Sequence, residues 1–350
     1  MAVASYTRAS PRVTSAASRR HRRLALLLAG ALLLLAVICV LSIALGSRQI
    51  APSDVARAVF EPDGGEIDAV VRGLRVPRTV LGLFAGAALG LAGALMQGLT
   101  RNPLADPGLL GVSAGAAFGI VLAVSTLDLT SLNGYIWFAF AGALITSVVV
   151  YLLATAGRGG ATPVKLALAG VAVTALLSSL TNGIALTDTE ALNRYRFWAA
   201  GSLSGRDAAV LEQAAPFLAV GAVLALSSAT ALNSLALGED VARSLGRRLA
   251  LVRVRGVLAI TLLTGAAVAT AGPVVFVGLV VPHVARAITG PDYRWILPFT
   301  MILAPALVLA ADILGRLINR PSEVGVGVVV AFVGAPLFIL LVRRRRLAEL

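Results

Sequence analysis

Few side chains in this sequence can do chemistry, and those that can are arginines, isolated acids and turn formers, not a catalytic set. Arg75 and Arg78 bracket Val76-Pro77, and Arg316 follows Asp312 by four residues in ADILGRL. The segment 236–249, ALGEDVARSLGRRL, places Glu239 and Asp240 just after Gly238 and Arg243 near its end, before Leu245-Gly246. That order, acid first and base last, suits the dipole of a short helix that also includes Ala242. Asn102-Pro103-Leu104 and Thr162-Pro163 carry turn chemistry, because proline ends helices and Asn favours turns. Guanidinium groups at helix ends can pair with acidic partners or snorkel to an interface. The charged segment 236–249 can be a partner's contact or an ordinary solvated loop.

Several chemistries are absent from the sequence. It holds a single lysine, Lys165, and no Gly-Lys dipeptide, so no Walker A loop is present to hold nucleotide phosphates. The two histidines, His21 and His283, are far apart and suggest no metal site. His283, in the Pro282-His283 pair, reads as structural. The lone Cys39 lies in the first apolar run and reads as a small core residue. Neither a catalytic residue nor a bound cofactor or metal is expected in this chain.

The elements that position these residues follow from hydropathy. Of 350 residues 58% are hydrophobic and 13% charged, with mean hydropathy +0.90. Soluble domains are about 45–50% apolar and about 25% charged, so this chain is an integral membrane protein. Its apolar runs are long and do not alternate, which predicts an all-α polytopic bundle and not a barrel. Residues 1–23 form a basic tail. The run 24–45 is too long for the core of a signal peptide and reads as an uncleaved first span. A charged external loop covers 46–78, with a short helix over 53–60 capped by Ser53 or Asp54. Further spans are predicted at 79–99, 108–127, 135–156, 164–186, 208–229, 254–271, 274–289, 294–311 and 324–342, about ten in all. Those at 274–289 and 294–311 look short, and 272–282 looks partly re-entrant. The transmembrane domain thus covers 24–342, with a second short tail at 343–350.

An even number of spans puts both termini on one side. With that side cytoplasmic, 20 of the 30 Lys and Arg fall inside, as the positive-inside rule requires. The net charge of +13 then needs no nucleic-acid partner. The sequence also repeats itself: AGAALGLAG at 85–93 and TGAAVATAG at 264–272 are 179 positions apart, and the same offset brings Pro103 onto Pro282. Spans two and seven would then run in opposite directions, the inverted-repeat plan common in transporters.

The run 75–119, RVPRTVLGLFAGAALGLAGALMQGLTRNPLADPGLLGVSAGAAFG, carries a resemblance to a known family. Gly82, Gly86 and Gly90 line one helix face inside it, allowing close backbone approach. Together with the 236–249 segment and FWAAGSLSG at 197–205, it resembles the FecCD-type permeases of ABC importers for iron-siderophores, haem and vitamin B12. The resemblance implies a second permease copy or paralogue, two cytoplasmic ATP-binding subunits that hold the ATP and magnesium, and an extracytoplasmic substrate-binding protein. It implies a multi-pass protein of the bacterial cytoplasmic membrane, surrounded by lipid. By residue, it implies binding-protein docking at Arg75, Arg78 and Arg316. ATPase coupling falls to Gly238, Glu239, Asp240, Ala242, Arg243, Leu245 and Gly246, and the cytoplasmic gate to Asn102, Leu104, Thr162 and Pro163. Ferric siderophore is the first expected cargo, with haem and cobalamin as alternatives. An ion-coupled secondary transporter is the competing class, but such proteins place ionisable groups near the midplane, and the predicted span centres hold almost none, their polar residues being neutral groups such as Gln97, Ser178 and Asn182. A membrane-embedded enzyme would need an acid pair or histidine cluster that is missing.

Overall fold

The computed structural model describes residues 11–129, 131–156, 162–206 and 208–344; the outermost parts of the two tails, 1–10 and 345–350, lie outside the described residues. All regular structure among the described residues is helical. The helices are α1 (Pro11–Ala44), α2 (Pro52–Phe60), α3 (Glu66–Val70), α4 (Val76–Thr100), α5 (Val112–Leu127), α6 (Leu132–Thr155), α7 (Pro163–Thr187) and α8 (Thr189–Ala199). They continue as α9 (Ala208–Ser227), α10 (Ala229–Ala236), α11 (Glu239–Ser244), α12 (Leu249–Ala271), α13 (Val277–Thr289), α14 (Tyr293–Ile318) and α15 (Val326–Arg344). Seven of them are long and apolar enough to cross a membrane, and the shorter apolar helices α5, α13 and α15 stand where the remaining predicted spans fall.

The differences from expectation lie at helix ends. Helix α1 begins at Pro11, so part of the basic tail continues the first span as helix. The second span begins far earlier than expected, because α3 runs through one π-helical turn (Val71–Arg75) directly into α4. Charge in 66–78 hides this in the hydropathy, yet Val71 is fully buried against Val55 and Ala58 of α2. The short helix α2 is present, but Ala51 is its N-cap with no side-chain bond, and neither Ser53 nor Asp54 caps it. Pro52 instead supplies the first turn, where its fixed φ suits the helix and its missing N–H costs nothing. Helix α14 extends to Ile318, a full crossing despite Pro298 and Pro305. Its charged end stays helical because Arg316 pairs with Asp312 one turn back at 2.8 Å. Helix α8 was not anticipated; Asp188 caps it by accepting from the Glu190 and Ala191 amides at 2.9 and 3.1 Å.

Helix α4 is the centre of the bundle, packed by α14, α12, α13 and α9. Its glycines set these approaches. A Cβ on Gly86 would stand 2.6 Å from the Cα of Pro305 in α14, and one on Gly93 would strike the backbone of Gly278 in α13. The inverted repeat is visible in the packing. Helix α12 runs antiparallel to α4, with its first turns at Gly256 against Leu99 at the end of α4. At the repeat offset, Gly86 faces α14 while Gly265 faces Phe140 and Ala143 of α6. Likewise α4 packs on α13 as α12 packs on α5, and the α13–α14 pair matches the α5–α6 pair. The register fails after the glycines: Pro103 lies in a turn, whereas Pro282 is buried inside α13. The irregular part of 272–282 is confined to the stretch before Val277, where Gly272 takes φ 75° to end α12.

Candidate functional site

At one end of the bundle the three singled-out arginines meet. All three are buried in the fold: Arg75 is 5%, Arg78 8% and Arg316 1% exposed. Asp312, fully buried, accepts from Arg78 Nη2 at 2.8 Å and pairs with Arg316 at 2.8 Å. Arg78 also donates to Glu323 at 2.6 Å, and Ser47 Oγ donates to the same carboxylate at 2.9 Å. Arg316 donates to the Ser42 and Leu45 carbonyls at 2.8 and 2.9 Å. Among the described residues Arg75 meets no carboxylate within 4 Å, and it donates to the carbonyls of Ile43, Ala44 and Arg48 at 3.0, 2.8 and 2.7 Å. The cluster ties the C-terminal ends of α1 and α14 to the start of α4 and to the 319–325 turn. Burial alone would raise the Glu323 carboxyl, but the hydrogen bond and charge of Arg78, with help from Ser47 and Arg316, hold it below the usual range. Among the described residues the cluster joins three buried arginines to two acids, and it borders a cavity of about 100 Å³ that opens beside Ser204 and Gly205.

Sequence reasoning named the arginines but missed their acids as partners. The Asp312–Arg316 spacing was a legible helical signal, whereas Glu323 lies 245 positions from Arg78 with no local cue. The FWAAGSLSG segment closes the same end. Its Trp198 donates to the Val268 carbonyl at 3.1 Å, the Ser202 amide to Ala271 at 2.8 Å, and the Gly327 amide to Gly201 at 3.2 Å. Gly201 (φ 64°) and Gly327 are in near backbone contact there, where a side chain would not fit.

At the opposite end, Gly238 (φ 107°) opens α11. Ala242 is buried against Leu235 and Leu249, while Leu237, Val241 and Leu245 lie 66%, 43% and 59% exposed at four-residue spacing. Asp240 and Arg243 are exposed and pair with each other at 2.8 Å, and Gly246 (φ 78°) turns the chain back toward α12. Glu239 differs from its neighbours because it points inward. Its carboxylate pairs with Arg253 of α12 at 2.6 Å, with Arg101 at 3.6 Å and with Arg243 at 3.4 Å. Arg101 is the left-handed C-cap of α4 (φ 50°), so one carboxylate joins the α11 segment to the ends of both central helices. Sequence reasoning placed Glu239 here but not its partner Arg101.

Arg101 leads directly into the Asn102 turn. Asn102 Oδ1 accepts from the Leu104 amide at 2.9 Å, and both side chains reach the surface. The hydroxyl of Thr162 accepts from the Lys165 amide at 3.3 Å and caps α7, with Pro163 as the first helical residue. The short helix 107–110 that follows the Asn102 turn packs on α7, where Gly170 admits the Leu109 carbonyl. Local capping and turn geometry account for all four residues, and the structure does not bring Asn102 and Thr162 into direct hydrogen bonding. Nearby, Arg286 donates to Gln97 Oε1 and to the Tyr293 hydroxyl, both at 3.3 Å, a cluster the sequence did not announce. His283 lies half buried within α13.

Helix α7 is nearly unburied by the rest of the chain, as is α1. The two differ in character: α1 exposes leucine and valine, while α7 exposes Ser178, Ser179 and Asn182 among its apolar residues.

Comparison with known proteins adds to this geometry. The pattern described as the FecCD transport family matches residues 18–344. The ferric enterobactin transport system permease protein FepD of Escherichia coli (strain K12) is 49% identical over 318 residues, covering 90% of this chain and 94% of its own. The cobalamin import system permease protein BtuC of Halobacterium salinarum is 40% identical over 283 residues, covering 80% of this chain and 75% of its own. A solved structure described as a metal-chelate type ABC transporter in an inward-facing conformation superposes with TM-score 0.79 at 29% identity, covering 91% of this chain and 99% of that one.

Proposed function

The chain belongs to the FecCD transport family and is the permease subunit of an ABC importer, and on that premise we propose that it carries ferric siderophores across the membrane by alternating access. The observation that carries the cargo is the near full-length similarity to a ferric enterobactin permease. Haem and cobalamin remain the alternatives, since a cobalamin permease is also similar along most of the chain.

In this reading ATP hydrolysis belongs to two partner subunits. The exposed stripe of Leu237, Val241 and Leu245 on the cytoplasmic side seats in the ATPase, and Glu239 passes its movement to α4 and α12 through Arg101 and Arg253. Tilting of α4 then moves the Asn102–Leu104 turn, while the Thr162-Pro163 start of α7 forms the other side of the inner gate. A second permease copy or a paralogue covers α7: Ser178, Ser179 and Asn182 are costly against lipid but suited to a water-filled path between two subunits.

At the outer end, acidic side chains of a substrate-binding protein enter the cavity beside Arg75, which has no acid among the described residues, and compete with Glu323 for Arg78. Three buried arginines against two acids leave this cavity attractive to carboxylates. The test is reconstitution of the permease with its ATPase and binding protein, followed by uptake of a ferric siderophore, haem and cobalamin. Preferential siderophore uptake is expected; uptake of only one of the other two refutes the cargo. In the same vesicles Arg75→Gln lowers uptake by weakening docking, and unchanged binding-protein affinity refutes the docking role.

A further inference from the structure

The cytoplasmic end also holds a cleft of about 380 Å³ between the α9–α10 junction and the start of α12. Three arginines line it, Arg247, Arg248 and Arg255, together with the hydroxyl side chains Ser227, Ser228 and Thr230. No acidic residue is among the lining residues. None of these arginines has a carboxylate within ion-pair distance among the described residues, and Arg255 donates only to Ser227 Oγ. The contrast with Arg253, two positions away and paired with Glu239 at 2.6 Å, shows that acids are available at this end but are not spent on the cleft.

Exposed apolar side chains flank the cleft on both helices. On α12, Leu251, Val254 and Leu258 are 61%, 50% and 44% exposed at helical spacing. On α9, which packs against α12, Val223 and Leu226 are 66% and 38% exposed. A cationic, hydroxyl-lined cleft is therefore flanked by exposed apolar side chains of α9 and α12, at the end of the bundle where the basic residues accumulate. A soluble anion would use the cations and leave these apolar side chains unused. A soluble partner such as the ATPase has no reason to follow α9 and α12 into the membrane, and the second permease copy is assigned to α7.

We propose that this cleft binds an anionic phospholipid of the cytoplasmic leaflet, its phosphodiester held by Arg247, Arg248 and Arg255 and its acyl chains lying along α9 and α12. Guanidinium forks match phosphate oxygens in paired hydrogen bonds, and the Thr230 hydroxyl can donate to a remaining oxygen, whereas Ser227 and Ser228 donate to carbonyls of α9. Basic pockets between spans on the cytoplasmic side have the chemistry to select anionic headgroups. The orientation rests on the importer reading above, but the binding does not require transport.

The test is lipid titration of the purified permease–ATPase complex in detergent, read by native mass spectrometry. Phosphatidylglycerol, phosphatidylcholine and inorganic phosphate are added separately. The parent complex is expected to retain phosphatidylglycerol in preference to phosphatidylcholine, with no displacement by phosphate. Replacing all three arginines by glutamine weakens phosphatidylglycerol retention by about a hundredfold, about fivefold for each charge. The Arg294→Gln control removes an exposed cation elsewhere on the same side and leaves retention unchanged. Equal retention of both lipids overturns the proposal, as does displacement by phosphate or full retention by the triple variant. Loss of the ATPase from a monodisperse triple variant overturns it too, by making the cleft a protein contact. Failure of uptake in the cargo experiment would leave these lipid results untouched, so the two readings fail separately.

Discussion

Removing the negative charge of Asp312 while keeping its shape is the sharpest perturbation of the outer cluster. Asp312 is fully buried and bridges two guanidinium groups at 2.8 Å each, on side chains only 10% and 2% exposed. In the Asp312→Asn variant one carboxamide faces both donors, and two buried cations lose their shared counter-charge. Breaking a buried ion pair by removing one partner costs about 3–5 kcal/mol, because the remaining charge stays desolvated. Arg78 keeps Glu323 at 2.6 Å, which places the expected loss near the lower end, about 3 kcal/mol. Glu323→Gln removes a carboxylate that is 24% exposed and leaves Asp312 in place. It should cost only about 1 kcal/mol, close to one net hydrogen bond. Equilibrium unfolding in bicelles measures both variants. An Asp312→Asn loss below about 1 kcal/mol, or equal losses for the two variants, would refute the view that Asp312 is the anchor of the cluster. The double replacement Asp312→Leu with Arg316→Met should recover much of the loss, since apolar substitutes of similar size often match a buried pair.

Three further outcomes follow from the same geometry. Glu239→Gln keeps the exposed α11 face but cuts its links to Arg101 and Arg253; uptake per ATP hydrolysed should fall about tenfold, equivalent to about 1.4 kcal/mol of coupling, while the ATPase remains bound. Gly93→Ala drives a methyl group into the backbone of Gly278 and should cost about 1–3 kcal/mol or more, whereas Gly183→Ala on α7 meets open space and should leave unfolding unchanged. Because the Glu323 carboxyl is held below its ordinary value, its stabilisation is complete above the unfolded value of about 4.3 and is lost as pH falls through the lower folded value. Unfolding free energy should therefore drop in acid in the parent, and the Glu323→Gln variant should show a shallower drop.

The family and its broad architecture were legible in the sequence because membrane spans are dictated locally. Each run of about 20 apolar residues must satisfy its own backbone hydrogen bonds, so span number and order can be read without tertiary knowledge. Arginine counts then orient the chain. Glycines at four-residue spacing in α4 announced close packing for the same local reason, although only the structure showed that Gly86 meets Pro305 and Gly93 meets Gly278. Helix ends were read less well. Arg75, Arg78, Asp312 and Arg316 look like loop residues by hydropathy, yet their partners keep them helical and buried.

The sequence by itself determined a helical membrane bundle with basic residues on one side and a short charged segment at 236–249. Only the tertiary structure decided which charges are displayed and which are consumed. Arg78 and Arg316 look alike to any reading of surface charge, but Asp312 pairs with both, and Arg78 reaches Asp312 and Glu323 from more than 200 positions away. Arg247, Arg248 and Arg255, equally unremarkable in sequence, have no acid within ion-pair distance among the described residues. The physical reason is that charge pairing across a fold depends on distance in space, which hydropathy and local spacing do not encode.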